Sequence, residues 1–211
     1  MDGITTIIFD LDGTLYSSKP LADEIHRVAV NGLSRQLGMS EAEMEIKLAA
    51  AKSALAGSNS GEVTLSAACK ELGGDIRLLH DYLAEQVIPE PFLSANSRVI
   101  EMLRRLKADY ALYIYTNNNR RLADRIMQAI GIKGFFTGVF SVEDFWRSKP
   151  DRLALTKLFA TIGAEPVECL FVGDRFDVDL RLPEEHGSRV LLTKTTEELL
   201  LLEELCQKEI D

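Results

Sequence analysis

Short apolar runs recur along the chain and indicate buried strands. The strong runs cover residues 7–9, 112–115, 169–172 and 190–192, and a weaker one covers residues 135–140. Continuous apolar runs of this length are typical of strands that are covered on both faces, as in a parallel sheet. The pattern therefore predicts a buried parallel sheet.

Between the later runs, apolar residues recur at the spacing of one helix face. Strands that alternate with helices predict a right-handed, doubly wound α/β core of the Rossmann-like kind. Three helix faces show this spacing: Val99, Ile100, Leu103 and Leu106 form the first, Leu122, Ile126 and Ile130 the second, and Leu155, Leu158, Phe159 and Ile162 the third. Gly163 follows the third face and is typical of a residue that ends a helix.

Residues 18–91 interrupt this alternation, because they show helix patterns and no strand run. Ser40 and Glu43 form the pattern of a capping box, and residues 56–61 are typical of a loop. Four helices here would either cover the sheet or form a subdomain, and two helices beside the strands would suffice as cover. We therefore predict a small four-helix cap at residues 18–91, inserted into an α/β core made of residues 1–17 and 92–211.

The charge composition limits the kinds of molecule that the protein is expected to bind. Of the 211 residues, 24 are Lys or Arg and 33 are Asp or Glu, which gives a formal net charge of −9. This balance argues against a surface that binds nucleic acid or anionic lipid, but it leaves room for a local anion site.

The cysteines and the apolar stretches bear on the compartment. Three cysteines without a C-x-x-C pair fit thiols in a reducing environment. The chain shows neither a signal-peptide pattern nor an apolar stretch of about 18 residues. We therefore expect a cytoplasmic protein, monomeric or homodimeric, with no nucleic-acid or membrane partner.

Two carboxylates, Asp10 and Asp12, close the first predicted strand. Residues i and i+2 of an extended segment point to the same side, so both can face one site. Two carboxylates this close repel each other unless a cation or a shared proton relieves them. On its own, the segment is also compatible with an ordinary turn, because Asp, Gly and Thr commonly end strands.

Further polar groups follow the later strands, whose carboxyl ends are where open α/β sheets bind ligands. Thr116 and Asn117 follow the second strand and suit either an anion at the start of the next helix or plain capping of that helix. Lys149 stands just before a helix, where a cation opposes the helix dipole, so its position indicates a function. Asp174 ends the strand near residues 169–172, and Asp179 follows in the same loop.

Taken together, these segments resemble the four motifs of the haloacid dehalogenase superfamily. The resemblance covers the whole chain, because the helical stretch lies where this family inserts its cap. Residues 183–185 depart from the family, which usually continues into a helix with small residues at this point. The four segments are Asp10-Leu-Asp12-Gly-Thr, the strand ending in Thr116, Lys149-Pro150, and Gly173-Asp174 through Asp179.

The resemblance implies a Mg²⁺-dependent phosphatase that acts on a small phosphorylated metabolite. Asp10 would attack phosphorus and form an aspartyl-phosphate, while Asp12 would protonate the leaving alkoxide and then activate water. The metal would be held by the carboxylates of Asp10 and Asp174 and by the carbonyl of Asp12.

The resemblance also implies roles for the remaining polar groups. Thr116 and the Asn117 backbone would hold phosphate oxygens, and Lys149 would offset charge between the phosphate and Asp10. Asp179 would orient Lys149 or a metal-bound water.

A few residues bear on the branch of the family and on its substrate. Asp12 favours phosphoryl transfer over dehalogenation, because a halide leaves without a proton. Helical-cap phosphatases of the family include phosphoglycolate phosphatases and pyrimidine 5′-nucleotidases. Leu15-Tyr16 resembles the nucleotidases, although Gly13 stands where that branch often has Asn. We therefore expect phosphoglycolate or a nucleoside monophosphate as the substrate.

The sequence offers two candidate sites of contact with the substrate. Lys19 and residues 57–61 are candidate contacts, although both are more typical of exposed linkers.

Two other functions are compatible with these residues. A phosphomutase of the β-phosphoglucomutase kind keeps the same carboxylates and cap but protects the aspartyl-phosphate from water. A non-catalytic binding protein is the other alternative, since fold does not fix function. The intact set of Asp10, Asp12, Lys149 and Asp174 argues against it.

Overall fold

A five-stranded parallel sheet organises the protein, whose computed structural model describes residues 3–59 and 63–207. Its strands are β1 (Thr6–Phe9), β2 (Ala111–Tyr115), β3 (Gly138–Phe140), β4 (Cys169–Gly173) and β5 (Arg189–Leu192). The strand order is β3-β2-β1-β4-β5, so β1 lies at the centre. This arrangement confirms the predicted doubly wound, Rossmann-like α/β class.

All four strand pairings are parallel, so the carboxyl ends of the strands lie at one edge of the sheet. Ile7 of β1 pairs with Leu112 of β2 on one side and with Leu170 of β4 on the other. The Asp10 N–H donates to the Val172 carbonyl at 2.8 Å, which extends the ladder one residue past β1. The segment after β1 therefore begins at this edge.

The side chains of β1 fill two apolar clusters, one on each face of the sheet. Successive strand residues point to opposite faces, and accordingly Ile7 and Phe9 lie in the larger cluster and Ile8 in the smaller one. The larger cluster also contains Leu33 and Leu79 from the helices that follow β1. Burial on both faces explains why the strand sequence is continuously apolar.

Helices fill the segments between the strands. Within the described part of the stretch after β1, four helices occur: α1 (Lys19–Leu37), α2 (Glu41–Asn59), α3 (Leu65–Glu71) and α4 (Ile76–Gln86). The remaining helices are α5 (Ser97–Asp109), α6 (Arg120–Ala129), α7 (Val142–Phe145), α8 (Arg152–Ile162), α9 (Arg181–Glu185) and α10 (Thr196–Gln207). The division of the chain into a cap and a core at residues 18 and 91 stays a prediction.

Two helix ends carry the predicted sequence signals. At α2 the Ser40 N–H donates to Glu43 Oε2 at 3.1 Å, and the Glu43 N–H donates to Ser40 Oγ at 3.3 Å, which is a reciprocal capping box. Gly163 ends α8 in the left-handed conformation with φ of 70°.

The prediction of a loop at residues 56–61 was wrong in its first part, because α2 continues through Asn59. The alanine-rich sequence of α2 outweighs the roughly 1 kcal/mol that a glycine costs inside a helix. Ser60 and Gly61, at the end of the predicted loop, lie outside the described residues. The weak apolar run at 135–140 forms a strand only at its end, while Phe135 and Phe136 pack against the larger cluster.

The segment after β4 stays helical in spite of its proline. A π-helix (Phe176–Leu180) leads directly into α9, and Pro183 lies in the first turn of α9. Pro183 thus lies close to the change from π-helix to α-helix and not in the interior of a long α-helix, where a proline would break the helix. The departure at residues 183–185 therefore leaves the segment after Asp179 helical.

The structure also describes the long helices and the three cysteines. No helix within residues 3–59 and 63–207 has both the length and the apolar character needed to cross a membrane. Cys69, Cys169 and Cys206 are buried and free.

Gly32 of α1 provides a test of how the helices after β1 pack. A Cβ at Gly32 would lie 2.7 Å from Cδ1 of Tyr82 on α4, so an alanine would displace that ring. We expect Gly32→Ala to lower the free energy of unfolding by about 1–3 kcal/mol, measured by urea denaturation. Gly57→Ala in α2 is the matched control, because a Cβ there meets open space. That variant should gain up to about 1 kcal/mol from helix propensity. A Gly32→Ala variant as stable as the wild type would contradict this packing.

Candidate active site

The predicted site residues meet at the carboxyl-end edge of the sheet. Asp10 follows β1, Thr116 follows β2 and Asp174 follows β4. Lys149 lies in the segment between α7 and α8, and Asp179 lies in the π-helix after β4. Asp10, Thr116, Lys149 and Asp179 are all buried, and Asp174 is partly buried.

Lys149 makes the central contact of the site. Its Nζ lies 2.6 Å from Asp10 Oδ1 and 2.6 Å from Asp179 Oδ1, and it donates to the Tyr115 carbonyl at 2.8 Å. All three charged side chains are 4% exposed or less. The contact between Asp179 and Lys149 fits the orienting role that the resemblance implied for Asp179.

The side chain of Asn117 holds the Lys149 backbone in place. The Lys149 N–H donates to Asn117 Oδ1 at 2.7 Å, and Asn117 Nδ2 donates to the Lys149 carbonyl at 3.4 Å. The peptide bond between Lys149 and Pro150 is cis. The sequence indicated only a backbone role for Asn117, because the pairing of this amide with a residue far along the chain depends on the tertiary fold.

The charges of the buried cluster do not balance. Burial raises the pKa of Asp10 to about 7; Lys149 opposes this increase, and Asp179 adds to it. Burial lowers the pKa of Lys149, but Asp10 and Asp179 raise it above its ordinary value. With Asp174 included, three carboxylates face two cations, Lys149 and Arg175, whose Nε lies 3.7 Å from Asp179 Oδ2. A further cation would stabilise this arrangement.

A divalent cation fits the carboxylates beside this cluster. One oxygen each from Asp10, Asp174 and Asp179 lies within 4.8 Å of the others. Asp174 Oδ1 is buried and makes no hydrogen bond within the described chain, and burial raises the pKa of Asp174. Carboxylate oxygens are the ligands that Mg²⁺ prefers. The cluster shares Asp10 and Asp174 with the predicted ligand set and contains Asp179 in addition.

Two glycines allow these carboxylates to come close to the backbone. A Cβ at Gly13, which has φ of +88°, would collide with the Asp174 carboxylate. A Cβ at Gly173 would lie 2.6 Å from Cβ of Asp179. The first turn after β1 and the end of β4 therefore require residues without side chains.

Asp12 is held on both of its carboxylate oxygens. Oδ1 accepts a hydrogen bond from the Tyr16 hydroxyl, and Oδ2 accepts one from Asn118 Nδ2 at 2.7 Å. Thr116 Oγ1 donates to the same Oδ2 at 3.4 Å and accepts from the Asn118 N–H at 3.1 Å. The side chain of Asp12 is thus fixed at the site while it stays partly exposed.

Sequence reasoning missed Tyr16 and Asn118 as partners of Asp12. Tyr16 reaches Asp12 because the turn after β1 folds back, with the Gly13 N–H donating to the Tyr16 carbonyl at 2.9 Å. Burial raises the pKa of Tyr16, and the neighbouring Asp12 raises it further, so the phenol stays a hydrogen-bond donor. The spacing of four residues from Asp12 to Tyr16 was the one signal available in the sequence.

A cavity of about 540 Å³ opens next to these residues. Asp12, Asn117, Asn118 and Asp174 line it from the sheet edge, and residues of α1, α2, α3 and α4 line it from the other side. Lys19, a predicted substrate contact, lies at this cavity but is exposed and bonds to Asp23 at 2.8 Å. Of the other predicted contacts, Gly57 is an exposed residue of α2.

His80 of α4 lines the same cavity and joins two parts of the fold. Its Nε2 lies 2.9 Å from Ser66 Oγ, its Nδ1 has no partner within the described chain, and its carbonyl accepts from Asn119 Nδ2 at 3.2 Å. Burial lowers the pKa of His80 to about 4, so the ring is neutral at neutral pH. His80 therefore links α4 to the N-terminal end of α6 as an uncharged group.

Comparison with known proteins identifies relatives. A family model described as "haloacid dehalogenase-like hydrolase" matches residues 4–187. Phosphoglycolate phosphatase of Vibrio vulnificus (strain CMCP6) is 30% identical over 178 residues, which cover 81% of this chain and 75% of that protein. Glyceraldehyde 3-phosphate phosphatase of Methanopyrus kandleri is 26% identical over 202 residues, covering 84% of this chain and 78% of that protein. The crystal structure of a HAD phosphatase from Thermococcus onnurineus shares the fold, with a TM-score of 0.66 and 19% identity over 96% of this chain and 98% of that one.

The carboxylate cluster predicts that Mg²⁺ stabilises the protein. At about one hundred times its Kd, the ion should raise the free energy of unfolding by about 2.7 kcal/mol, seen as an increase in Tm. We expect Asp174→Ala to lose most of this increase, because Asp174 supplies a buried oxygen that makes no hydrogen bond within the described chain. Asp177→Ala should keep it, because Asp177 pairs with Arg181 at 3.3 Å outside the cluster. An Asp174→Ala variant with the full Mg²⁺ increment would contradict the assignment of the metal site.

Proposed function

Because this chain belongs to the haloacid dehalogenase-like hydrolases, we propose that it is a Mg²⁺-dependent phosphatase that hydrolyses a small phosphomonoester through an aspartyl-phosphate on Asp10. One observation carries the proposal: a buried carboxylate bonded to Lys149 at 2.6 Å lies two residues from a second carboxylate that is fixed at a cavity. That pair supplies both a nucleophile and a proton-transfer group.

Asp10 is the nucleophile in this mechanism. Lys149 bonds to its Oδ1, and Thr14 Oγ1 donates to its Oδ2 at 3.3 Å. The ammonium favours the carboxylate form against the effect of burial. A carboxylate oxygen attacks phosphorus, the ester P–O bond breaks, and the phosphoryl group remains on Asp10. The difficult displacement is thereby divided into two steps.

Asp12 transfers the protons of both steps. It gives a proton to the leaving alkoxide and then takes one from the water that hydrolyses the aspartyl-phosphate. The hydrogen bonds from Tyr16 and Asn118 fix its carboxylate at the cavity, where the leaving group and the water have access. Positioned acid–base catalysis of this kind contributes about 10²- to 10⁴-fold in rate.

The negative charge of the phosphoryl group is balanced by fixed groups. Lys149 lies against Asp10, and the Thr116 hydroxyl and the Asn117 N–H stand just before α6, where a helix start favours an anion. A Mg²⁺ ion held by Asp10 and Asp174, with the Asp12 carbonyl as a further ligand, would supply additional positive charge at the phosphoryl oxygens.

The relatives support a small substrate. Phosphoglycolate phosphatase and glyceraldehyde 3-phosphate phosphatase, by their names, act on small phosphorylated metabolites. The cavity of about 540 Å³ has room for a ligand of that size. We therefore propose a small phosphorylated metabolite as the substrate class.

Release of p-nitrophenolate from p-nitrophenyl phosphate tests the two carboxylates separately. This leaving group needs no proton, so Asp12→Asn should release about one p-nitrophenolate per enzyme in a fast burst and then react slowly. The phosphoryl group then stays on Asp10, where peptide mass spectrometry detects it. Asp10→Asn should show neither the burst nor the adduct.

Asp23→Asn is the matched control, because Asp23 lines the cavity but is exposed and bonds to Lys19. It should keep wild-type turnover. Absence of turnover by the wild type with Mg²⁺ would overturn the phosphatase assignment. A phosphorylated Asp10→Asn variant would overturn the choice of nucleophile.

A further inference from the structure

Lys52 of α2 lines the cavity on the side opposite the strand ends, and its charge is poorly compensated. The side chain is partly buried. No carboxylate in residues 3–59 and 63–207 lies within ion-pairing distance of its Nζ. A partly buried ammonium in a cavity stabilises any anion that enters.

The other cations of the cavity differ from Lys52 in this respect. Lys19 pairs with Asp23 at 2.8 Å, and Arg175 lies 3.8 Å from Asp174 and 3.7 Å from Asp179. Their charges are already balanced within the protein. Lys52 is therefore the cavity cation, among the described residues, that is best placed to receive charge from a ligand.

Glu45 is an acidic residue that acts on the charge of Lys52, and it neutralises that charge only in part. Burial lowers the pKa of Lys52, and Glu45 raises it, but the net effect is a pKa below the ordinary value. Glu45 is itself exposed and lies 2.8 Å from His26 Nε2. Among the described residues, the effect of Glu45 on Lys52 is therefore smaller than the effect of burial.

We propose that Lys52 binds a carboxylate of the substrate, an inference that rests on the proposed function. The substrate is then a phosphomonoester with a carboxylate distant from the phosphate. Lys52 comes from α2, whereas the phosphate-binding groups follow the strands, and Lys52 and Asn117 line the same cavity. An ammonium–carboxylate contact is a strong, charge-assisted hydrogen bond.

A monoanionic group suits this part of the cavity better than a second phosphate does. His80, which lines the same cavity, is neutral at neutral pH because burial lowers its pKa to about 4. Among the described residues of α1 to α4 that line the cavity, Lys19 pairs with Asp23 and His26 with Glu45, so Lys52 acts there without a second unpaired cation. One ammonium group matches the single charge of a carboxylate.

Pairs of esters that differ only in the carboxylate test the proposal. Phosphoglycolate is compared with ethylene glycol phosphate, and phosphoglycerate with glycerol phosphate, by phosphate release with Mg²⁺. We expect the wild type to prefer the carboxylated member of at least one pair. Lys52→Met should lower kcat/KM for that member by about 10- to 100-fold, the cost of losing a charged hydrogen bond. The same substitution should change kcat/KM for the ester without the carboxylate by less than about two-fold.

Two further variants complete the experiment. Lys52→Arg keeps the charge and should keep a preference for the carboxylated ester. Lys47→Met removes an exposed lysine of the same helix and should leave every kcat/KM unchanged. Circular dichroism before each assay shows that the variants are folded.

The outcomes separate this proposal from the proposed function. A wild type that hydrolyses no phosphomonoester overturns the proposed function. A wild type that hydrolyses esters without preferring the carboxylated members overturns the role of Lys52 alone. Equal losses for both members of a pair in Lys52→Met also overturn it, since they would reflect a general structural effect.

Discussion

The rest of the site depends on the buried contact of Lys149 with Asp10 and Asp179. Three charged groups at 4% exposure or less are costly to desolvate, and their attraction offsets this cost only when the geometry is good. The fold provides that geometry from distant parts of the chain. The strand end of β1 supplies Asp10, the Asn117 amide holds the Lys149 backbone, and the π-helix after β4 supplies Asp179.

This contact also clarifies the acidic character of the chain. A net charge of −9 disfavours a large anionic partner such as nucleic acid. At the strand ends, however, the carboxylates of Asp10, Asp174 and Asp179 outnumber the cations Lys149 and Arg175, and Asp174 adds an oxygen that makes no hydrogen bond within the described chain. Such a cluster favours a divalent cation, and a divalent cation beside Lys149 makes the location favourable for a phosphate.

The site residues that follow strands could be predicted from the sequence, whereas contacts that depend on how distant segments fold together could not. Asp10, Thr116 and Asp174 each follow a continuous apolar run, and parallel strands bring such positions to one edge. Tyr16 and Lys52 gave no comparable signal. Tyr16 reaches Asp12 through a turn, and Lys52 reaches the cavity through the length of α2, which extends past the predicted start of the loop.

The central claim is that Asp10 carries the phosphoryl group, and fluorine NMR with beryllium fluoride tests it without turnover. Fluoroberyllate bonded to an aspartate carboxylate has the shape and charge of a phosphoryl group. With Mg²⁺, the wild-type protein should show resonances of bound fluoroberyllate, and these should be absent from Asp10→Asn. The same bound resonances in Asp10→Asn would contradict the account, because another group would then be the acceptor.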